Sequence, residues 1–502
     1  MRKLLRQTPA GLNTLSARTR FWELRSICGN MGKTENLNKG TGIKMLPEKF
    51  TERMRNMLGA EYEAFMESFS EEKYQALRMN PQKADSDFVN KKIFHLEQVD
   101  WEPNGYRYEA QDQPGKHPYH EAGRYYIQEP SAMAPVHYLD VQPGDKVLDL
   151  CAAPGGKSTQ IAAAMSGEGI LVSNEINAAR AKILSLNVER MGVRNAMVTN
   201  ETPEKLSGFF EAWFDRILVD APCSGEGMFR KNEEACLEWS PENVMMCAER
   251  QKSILDCAAG MLAPGGRMVY STCTFAPEED EGSISSFLHR HTDFHILKVD
   301  SFQGMSVGHP EWISDPAPGI ENTLRLWPYL LKGEGHFLAV LERDGELRQR
   351  GSCSYCPNGL QKGIREKDCK PWLSFRSTFL QNFPAGTLFL YGEQLYLAPA
   401  GMPSTDHLKV LRPGLHLGTL KKDRFEPSHA LALTLKPEDV RYSMDLASGS
   451  PEIKAFLNGQ TLQGTENAGW NLITVDGYSI GWGKCAGKIM KNHYPKGLRI
   501  SF

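Results

Sequence analysis

The chain lacks a long hydrophobic run: no apolar stretch among its 502 residues approaches the roughly 18 residues of a membrane-spanning helix. Net charge is also nearly absent, at −3, so any surface for nucleic acid has to be a local patch and not a general positive field. Internal repeats and strong low-complexity tracts are missing as well. These absences predict an ordinary globular protein without a membrane anchor, and the length predicts about two to four domains.

A regular cysteine framework is also missing. The 11 cysteines are odd in number and scattered, which favours reduced thiols in a cytosol over secreted disulfides. Cys353 and Cys356 form a C-x-x-C, with Cys369 downstream, but a zinc site normally needs a second close pair. The histidines show no ligand spacing either. We therefore predict a cytoplasmic protein without a metal site.

Acidic residues are almost absent before Met45, where Glu23 and Glu35 are the only two. This basic, Arg-rich composition is typical of a transit peptide, but a disordered arm or sequence translated from a mis-assigned start has the same composition. Met45 precedes a segment typical of the beginning of a folded domain. We favour the mis-assigned start and treat residues 1–44 as separate from the folded domains.

Short apolar runs alternate with helical patterns between residues 141 and 343, which predicts a doubly wound, Rossmann-like α/β fold with a parallel sheet. The strand candidates are 146–150, 170–173, 196–199, 214–219, 267–270, 294–299 and 336–341, and the helix candidates are 158–165, 178–191, 241–262 and 277–289. The helix at 277–289 would carry acids in its first turn, a structural signal with no chemical role. The predicted organisation is an α+β module (45–120), an α/β domain (121–344), a polar linker (345–370) and a β-rich region of one or two parts (371–502).

Residues 151–157, Cys-Ala-Ala-Pro-Gly-Gly-Lys, follow the first strand of the α/β domain and predict a ligand-binding turn. They lack the dinucleotide G-x-G-x-x-G pattern, and Cys151 stands where a phosphate-binding loop has its first glycine. Glu175 lies near the end of the second strand, where an acid accepts the hydroxyls of a ribose. This arrangement suits S-adenosylmethionine. A nucleotide hydrolase using Gly156-Lys157-Ser158 and a tight turn without a ligand remain alternatives.

Cys223 and Cys273 each follow a predicted buried strand, in Asp-Ala-Pro-Cys-Ser-Gly and Ser-Thr-Cys-Thr. Carbon-5 of a pyrimidine becomes nucleophilic only after a group adds at carbon-6, and a thiolate is the side chain best suited to that addition. Asp220, at the end of one of the strands, could hold N3 and the amine of cytosine. The pair therefore indicates covalent chemistry on a pyrimidine.

These three motifs, in this order, resemble those of the RNA cytosine-C5 methyltransferases of the Sun/Nop type. Two further segments resemble the bacterial RsmF/YebU branch, which methylates 16S ribosomal RNA: residues 325–328 with 333–337, and the tail 491–497. The resemblance runs from about Met45 to the C-terminus. It implies a methyltransferase domain, an N-terminal RNA-binding module and a C-terminal PUA-like domain.

The resemblance also implies the roles of individual residues. Cys273 would be the nucleophile and Cys223 would help to release the product. A further contact to the cofactor follows the third strand, where many members of the family carry Asp. This chain has Thr199-Asn200-Glu201-Thr202 at that place, and Asn200 is our candidate for the contact. The implied S-adenosylmethionine site comprises Cys151, Ala152, Ala153, Pro154, Gly155, Gly156, Lys157, Glu175, Asn200 and Asp220.

Cations beside the motifs and near the C-terminus are candidates for RNA contact. Arg230 and Lys231 follow the second motif, although a solvated pair has the same pattern. Near the C-terminus, aromatic residues alternate with cations, as in surfaces that bind single-stranded RNA, but a β-domain core with a basic edge has this pattern too. The aromatic residues are Trp470, Tyr478, Trp482 and Tyr494, and the cations include Lys491 and Lys496.

The resulting prediction is a monomeric enzyme that methylates carbon-5 of cytosine in ribosomal RNA, with free RNA or the small ribosomal subunit as its partner. A tRNA cytosine-C5 methyltransferase and a non-catalytic RNA-binding protein of ribosome assembly are the alternatives. Because both thiols are present, the non-catalytic alternative is disfavoured.

Overall fold

Helices and strands alternate along most of the computed structural model, which describes residues 46–83, 88–346, 359–384 and 386–501. The basic segment 1–44 and the Cys353/Cys356 pair lie outside the described residues. The helices are α1 (Glu48–Leu58), α2 (Tyr62–Ser68), α3 (Pro118–Glu121), α4 (Ala134–Leu139), α5 (Gly156–Ala164), α6 (Ala178–Arg190), α7 (Pro203–Ser207), α8 (Glu233–Glu238), α9 (Pro241–Met261), α10 (Glu281–Arg290), α11 (Lys370–Phe379), α12 (His429–Thr434) and α13 (Pro451–Asn458). The strands are β1 (Gln75–Met79), β2 (Leu96–Val99), β3 (Glu102–Tyr108), β4 (Tyr125–Ile127), β5 (Lys146–Asp149), β6 (Ile170–Asn174), β7 (Ala196–Thr199), β8 (Phe214–Asp220), β9 (Leu262–Thr272), β10 (Phe294–Ile296), β11 (Met305–Val307), β12 (Leu324–Leu326), β13 (His336–Arg343), β14 (Thr387–Tyr391), β15 (Gln394–Ala398), β16 (Val410–Pro413), β17 (Leu415–Leu420), β18 (Phe425–Pro427), β19 (Ser443–Leu446), β20 (Leu462–Gln463), β21 (Gly469–Val475), β22 (Tyr478–Ala486) and β23 (Ile489–Asn492).

The largest sheet has the order β11-β12-β13-β9-β8-β5-β6-β7-β16, with β10 paired to β13. Strands β9, β8, β5, β6 and β7 are parallel neighbours, and β13 and β16 run antiparallel to the strands they join. Both faces are covered: Ile217 and Val219 of β8 pack in one apolar core and Leu218, between them, packs in the other. A sheet buried on both faces with a parallel centre is the doubly wound arrangement that the sequence predicted.

Local sequence explains where the helix before β9 begins. Ser240 Oγ accepts a hydrogen bond from the Asn243 amide at 3.1 Å, and Pro241 occupies the first helical position. The serine satisfies one of the free amides of the first turn, and the fixed φ of proline suits that position. Helix α9 then runs along one face of the central sheet, with Ile254, Leu255 and Ala258 in the core.

The N-terminal sheet has the order β2-β3-β1-β4. Strand β4 pairs antiparallel with β1, so this sheet continues to Ile127, beyond the predicted limit at residue 120. At the other end of the chain, β16 pairs with β7 at the edge of the central sheet. The region after residue 371 is therefore joined to the α/β domain by main-chain hydrogen bonds.

The C-terminal aromatic residues lie inside the protein and not on an RNA-facing platform. Trp470, Trp482 and Tyr494 are buried, and Tyr478 packs under the Arg124 guanidinium. Trp482 Nε1 donates a hydrogen bond to Ser428 O at 2.9 Å. Of the two interpretations of this sequence pattern, the structure therefore agrees with a β-domain core that has a basic edge.

Candidate active site

Cys223 and Cys273 are brought together by the sheet. They follow the adjacent parallel strands β8 and β9, in which Asp220 pairs with Ser271. Because parallel strands end at the same edge, the two loops meet there. The two Sγ atoms lie 3.4 Å apart, and both residues are half-buried. The hydrogen bond to Cys273 and burial raise the pKa of the Cys223 thiol well above its usual value, so Cys223 is protonated in this state.

Asp220 and Lys157 form an ion pair beside the thiols. Lys157 Nζ donates to Asp220 Oδ2 at 2.8 Å, and Ser271 Oγ donates to Oδ1 at 2.8 Å. Burial, the largest single effect, would raise the pKa of Asp220, but Lys157, His336 and the Ser271 hydrogen bond together hold that pKa below its usual value. The carboxylate is thus ionised at neutral pH while 31% of its side chain is exposed. The pair also connects the turn at residues 151–157 to the end of β8.

The turn at residues 151–157 leads into α5 with unusual backbone geometry. Gly155 has φ +111°, and a Cβ there would lie 3.1 Å from Leu184 Cδ1. No side chain caps the start of the helix, so its first amides are free for a ligand, as at other helix N-termini that bind anions. Arg180 Nη2 holds the turn by donating to Ala153 O at 2.8 Å. Burial raises the pKa of Cys151, so this thiol stays neutral.

Asp149, at the end of β5, lies under this turn. Its Oδ2 accepts from Ser158 Oγ at 2.6 Å, while its Oδ1 is buried without a hydrogen-bond partner among the described residues. Burial raises the pKa of Asp149 to about 7. A buried polar atom without a partner is costly, and an acceptor beside a Gly-rich turn suits the amino group of an amino-acid ligand.

Glu175 and Asn200 lie at the ends of the next two strands. Glu175 is buried, accepts from the Asn177 amide at 2.8 Å, and lies 3.4 Å from Arg180 Nη1. Asn200 Nδ2 donates to the main-chain oxygens of Glu175 at 2.7 Å and Ile176 at 2.8 Å. Both hydrogens of the Asn200 amide are therefore used to hold the loop that carries Glu175.

Sequence reasoning missed the acids that support the two cysteine loops. Glu279 and Asp280 were predicted in the first turn of a helix, but α10 begins only at Glu281, and both acids are buried under the site. Thr272 Oγ1 donates to Asp280 Oδ1 at 2.6 Å, and Arg325 Nε donates to Glu281 Oε1 at 2.8 Å. Their position directly after the Cys273 motif was the available signal.

Glu226 is a further buried acid that sequence reasoning missed. It accepts from Arg53 of α1 at 2.6 Å, from Trp239 Nε1 at 2.7 Å and from the Phe275 amide at 3.0 Å. It thereby connects the N-terminal helix to the loops that follow both cysteines. The amide of Gly227, next along the chain, also donates to Cys273 O at 2.8 Å.

We expect Glu226→Ala to lower the free energy of unfolding by about 3 kcal/mol, because it leaves the Arg53 guanidinium and two N–H donors without their acceptor. Denaturant unfolding of the purified protein measures this change. Glu234→Ala, which removes an exposed acid nearby, is the matched control and should change stability by less than about 0.5 kcal/mol. Equal effects of the two substitutions would contradict the structural role of Glu226.

The predicted RNA contacts lie in different environments. The Arg230 side chain is buried, lies 3.5 Å from Glu334 Oε2 and donates to Glu72 O, so its cation is already paired inside the protein. Lys231 lies 3.5 Å from the same carboxylate and is mostly buried. This arrangement does not support a phosphate contact by Arg230. Lys491 and Lys496, by contrast, are exposed.

The described residues contain neither a metal-binding cluster nor a membrane-spanning helix. No group of His, Cys, Asp or Glu side chains in the described ranges is arranged to hold a metal ion. Within the same ranges, no helix has the length and apolar character needed to cross a membrane.

Known proteins resemble this chain along nearly its whole length. Family models match in order the N-terminal domain of 16S rRNA methyltransferase RsmF at residues 46–130, 16S rRNA methyltransferase RsmB/F at 136–342, the first C-terminal domain of RsmF rRNA methyltransferase at 374–435 and the methyltransferase RsmF PUA domain at 444–500.

Relatives that match this chain over nearly their whole length share one name. "Ribosomal RNA small subunit methyltransferase F" of Vibrio vulnificus (strain YJ016) is 30% identical over 472 residues, covering 90% of this chain and 97% of its own. The protein of that name from Aeromonas salmonicida is 30% identical over 473 residues, with the same coverage. The crystal structure of a methyltransferase homolog protein from Pyrococcus horikoshii is 28% identical, with a TM-score of 0.52 over 59% of this chain and 95% of that one.

The doubly wound sheet, the Gly-rich turn and these similarities define an S-adenosylmethionine-dependent methyltransferase with a C-terminal PUA domain. Within that class, the chain belongs to the RsmB/F family of 16S rRNA methyltransferases. The family and the fold class predicted from the motifs are thereby confirmed.

Proposed function

We propose that the protein methylates carbon-5 of a cytosine in 16S ribosomal RNA through a covalent bond between Cys273 and carbon-6. The observation that carries this proposal is the pair of thiols 3.4 Å apart beside the Lys157–Asp220 ion pair. The names of the relatives favour the RNA of the small ribosomal subunit over tRNA. The place of action is then the cytoplasm, where ribosomal subunits are assembled.

The residues around the turn fit S-adenosylmethionine. The free acceptor of Asp149 and the uncapped amides of α5 suit its amino and carboxylate groups, and Glu175 suits its ribose. Asn200 Nδ2 is fully used, so its Oδ1 is the atom left to meet the adenine amine. When bound, this cofactor supplies an electrophilic methyl group.

The other side chains act on the RNA base. Asp220 is ionised, held by Lys157, and accepts hydrogen bonds from the cytosine amine and from N3 when it carries a proton. Cys273 adds to carbon-6, and the electron pair moves to carbon-5, which becomes able to take a methyl group. Cys223, after losing its own thiol proton to solvent, then removes the proton from carbon-5, and the carbon-6 to sulfur bond breaks with its electrons on Cys273. The target base must leave any stack to reach these thiols, and the exposed Lys491 and Lys496 contact phosphates of the surrounding RNA.

We expect Asn200→Asp to weaken S-adenosylmethionine binding by roughly tenfold. The substitution removes two donated hydrogen bonds and places a carboxylate against the main-chain oxygens of Glu175 and Ile176. Asn177→Asp is the control, because the Asn177 side chain caps α6 as an acceptor and Asp keeps that role while adding the same charge. Calorimetric titration measures both, and unchanged or tighter binding by Asn200→Asp would contradict the role of the two donated hydrogen bonds in shaping the site.

Bisulfite mapping of ribosomal RNA from a deletion strain tests the proposed function. The wild-type strain should carry a 5-methylcytosine in 16S RNA that the deletion strain lacks, and the purified protein should restore it on RNA or subunits from that strain. Calorimetry should show binding of S-adenosylmethionine and not of ATP, which separates a methyltransferase from a nucleotide hydrolase. Unchanged methylation of 16S RNA in the deletion strain would refute the proposal.

A further inference from the structure

The N-terminal sheet packs directly on the turn that leads into α5. A Cβ on Gly156 would lie 3.2 Å from Tyr126 Cε1 and 3.4 Å from Gln128 Cδ. Tyr126 belongs to β4 of that sheet, and Gln128 follows the same strand. A larger residue in place of Gly156 would push against both side chains. The N-terminal module therefore forms one side of the Gly-rich turn.

Arg78 of β1 connects that sheet to α5 through three hydrogen bonds. Its Nη2 donates to Gly156 O at 3.1 Å and to Thr159 Oγ1 at 2.8 Å, and its Nε donates to Gln128 Oε1 at 3.1 Å. The Arg78 side chain is buried. Burial lowers the pKa of Arg78 to about 10, so the guanidinium keeps its charge at neutral pH. A buried cation held by several acceptors has a fixed position.

The hydrogen bond to Gly156 O also acts on the amide of Lys157, because these two groups belong to one peptide unit. A trans peptide is planar, and its N–H points away from its C=O. Arg78 thereby fixes the direction of the Lys157 N–H, one of the amides at the uncapped start of α5. A cation on the oxygen polarises the peptide and makes that N–H a stronger donor. The side chain of the same Lys157 holds Asp220.

Asn80 supports the same module at a different place. Its Nδ2 donates to Met191 O at 2.9 Å and to Gly123 O at 3.0 Å. Met191 directly follows α6, and both acceptors lie outside residues 151–157. Arg78 and Asn80, two residues apart and both buried, thus make separate contacts with the α/β domain. Only the contacts of Arg78 reach the Gly-rich turn.

We propose that Arg78 is a positioning residue for S-adenosylmethionine, so that the N-terminal module completes the cofactor site. This inference rests on the S-adenosylmethionine site in the proposed function. The guanidinium holds the first peptide of α5 in the orientation that presents the Lys157 amide to the carboxylate of the cofactor. Its positive charge, one peptide unit behind that amide, also favours the anion. Arg78 itself does not touch the reacting atoms.

Arg78→Met tests this role, because methionine keeps an unbranched side chain but lacks the charge and the three donated hydrogen bonds. S-adenosylmethionine should bind about 10- to 100-fold more weakly in calorimetric titration without RNA. In steady-state methylation, the KM for the cofactor should rise by a similar factor, while kcat at saturating cofactor stays within about threefold. Arg78→Lys keeps the charge and should recover part of the affinity.

Thr159→Val tests the same contact from α5 without removing a charge. Valine has the shape of threonine but no oxygen, so Arg78 loses one of its acceptors. Cofactor binding should weaken by roughly threefold to tenfold. If Arg78→Met does not fold, Thr159→Val and Arg78→Lys decide the question, and wild-type affinity in Thr159→Val would then overturn the inference.

Asn80→Ala is the matched control, because it removes buried hydrogen bonds of the same module away from the turn. It should lower the melting temperature, as Arg78→Met does, but leave the affinity for S-adenosylmethionine within about twofold of wild type. Equal loss of affinity in both variants would show a general loosening of the module and overturn the inference, as would wild-type affinity in Arg78→Met. Cofactor binding by the wild-type protein without methylation of 16S RNA would instead refute the proposed function, and the Arg78 result would still stand.

Discussion

Replacing Cys273 by alanine is expected to abolish methyl transfer to RNA, with a loss of at least about 10³-fold. Carbon-5 of cytosine reacts with an electrophile only when a nucleophile has added at carbon-6, and alanine has no atom that can add. Removal of a covalent nucleophile costs more than the loss of any single supporting contact. Transfer of a radioactive methyl group to 16S RNA from the deletion strain measures the effect.

Cys257→Ala provides the matched control for the loss of a thiol. Cys257 is half-buried in α9 and takes no part in the cluster of Cys223 and Cys273. Its substitution should leave activity within about twofold of wild type and change stability by about 1 kcal/mol or less. S-adenosylmethionine binding by Cys273→Ala should remain normal. Undiminished methyl transfer by Cys273→Ala would exclude Cys273 as the nucleophile.

The convergence of the motifs could be predicted because it follows from strand order and direction. Apolar runs at β5, β8 and β9 identified strands buried on both faces, and parallel strands end at one edge. The residues directly after each strand, including Cys223 and Cys273, were therefore placed near one another without knowledge of any distance. The 3.4 Å separation of their sulfur atoms depends on the conformation of the two loops, which the pattern of apolar residues does not predict.

The supporting acids could not be placed from sequence, because the local signal pointed elsewhere. Acids before α10 are typical of a helix N-terminus, so Glu279 and Asp280 were predicted in the first turn of a helix, without a chemical role. The chain instead makes an additional turn that buries both under the cysteine loops. The partners of Glu279 are the Ser224 amide and Gln251, which lie 55 and 28 residues away in the sequence, and only the folded sheet brings them into contact.

The C-terminal tryptophans show a second limit of sequence patterns. Alternating aromatic residues and lysines fit both an RNA-binding surface and an amphipathic strand. In the structure, Trp470 of β21 is opposite Lys484 of β22, whose ammonium lies 5.1 Å from the indole ring centre. The lysine stem covers a buried ring, so the cation and the aromatic residue belong to one packing unit. Helices α11 and α12, which are distant in sequence, pack against these tryptophans and thereby determine which face is buried.

Replacing Cys223 by alanine is expected to trap the RNA on the protein. Cys273 can still add to carbon-6 and carbon-5 can still be methylated, but the group that removes the carbon-5 proton is missing, so the carbon-6 to sulfur bond persists. Turnover should fall by about 10² to 10⁴-fold, as expected for loss of a general base. A slowed band on a denaturing gel, sensitive to ribonuclease, measures the adduct.

The double variant Cys223→Ala/Cys273→Ala must lose that band, because the bond to the RNA is made by Cys273. Normal turnover without a slowed band in Cys223→Ala would contradict the release role.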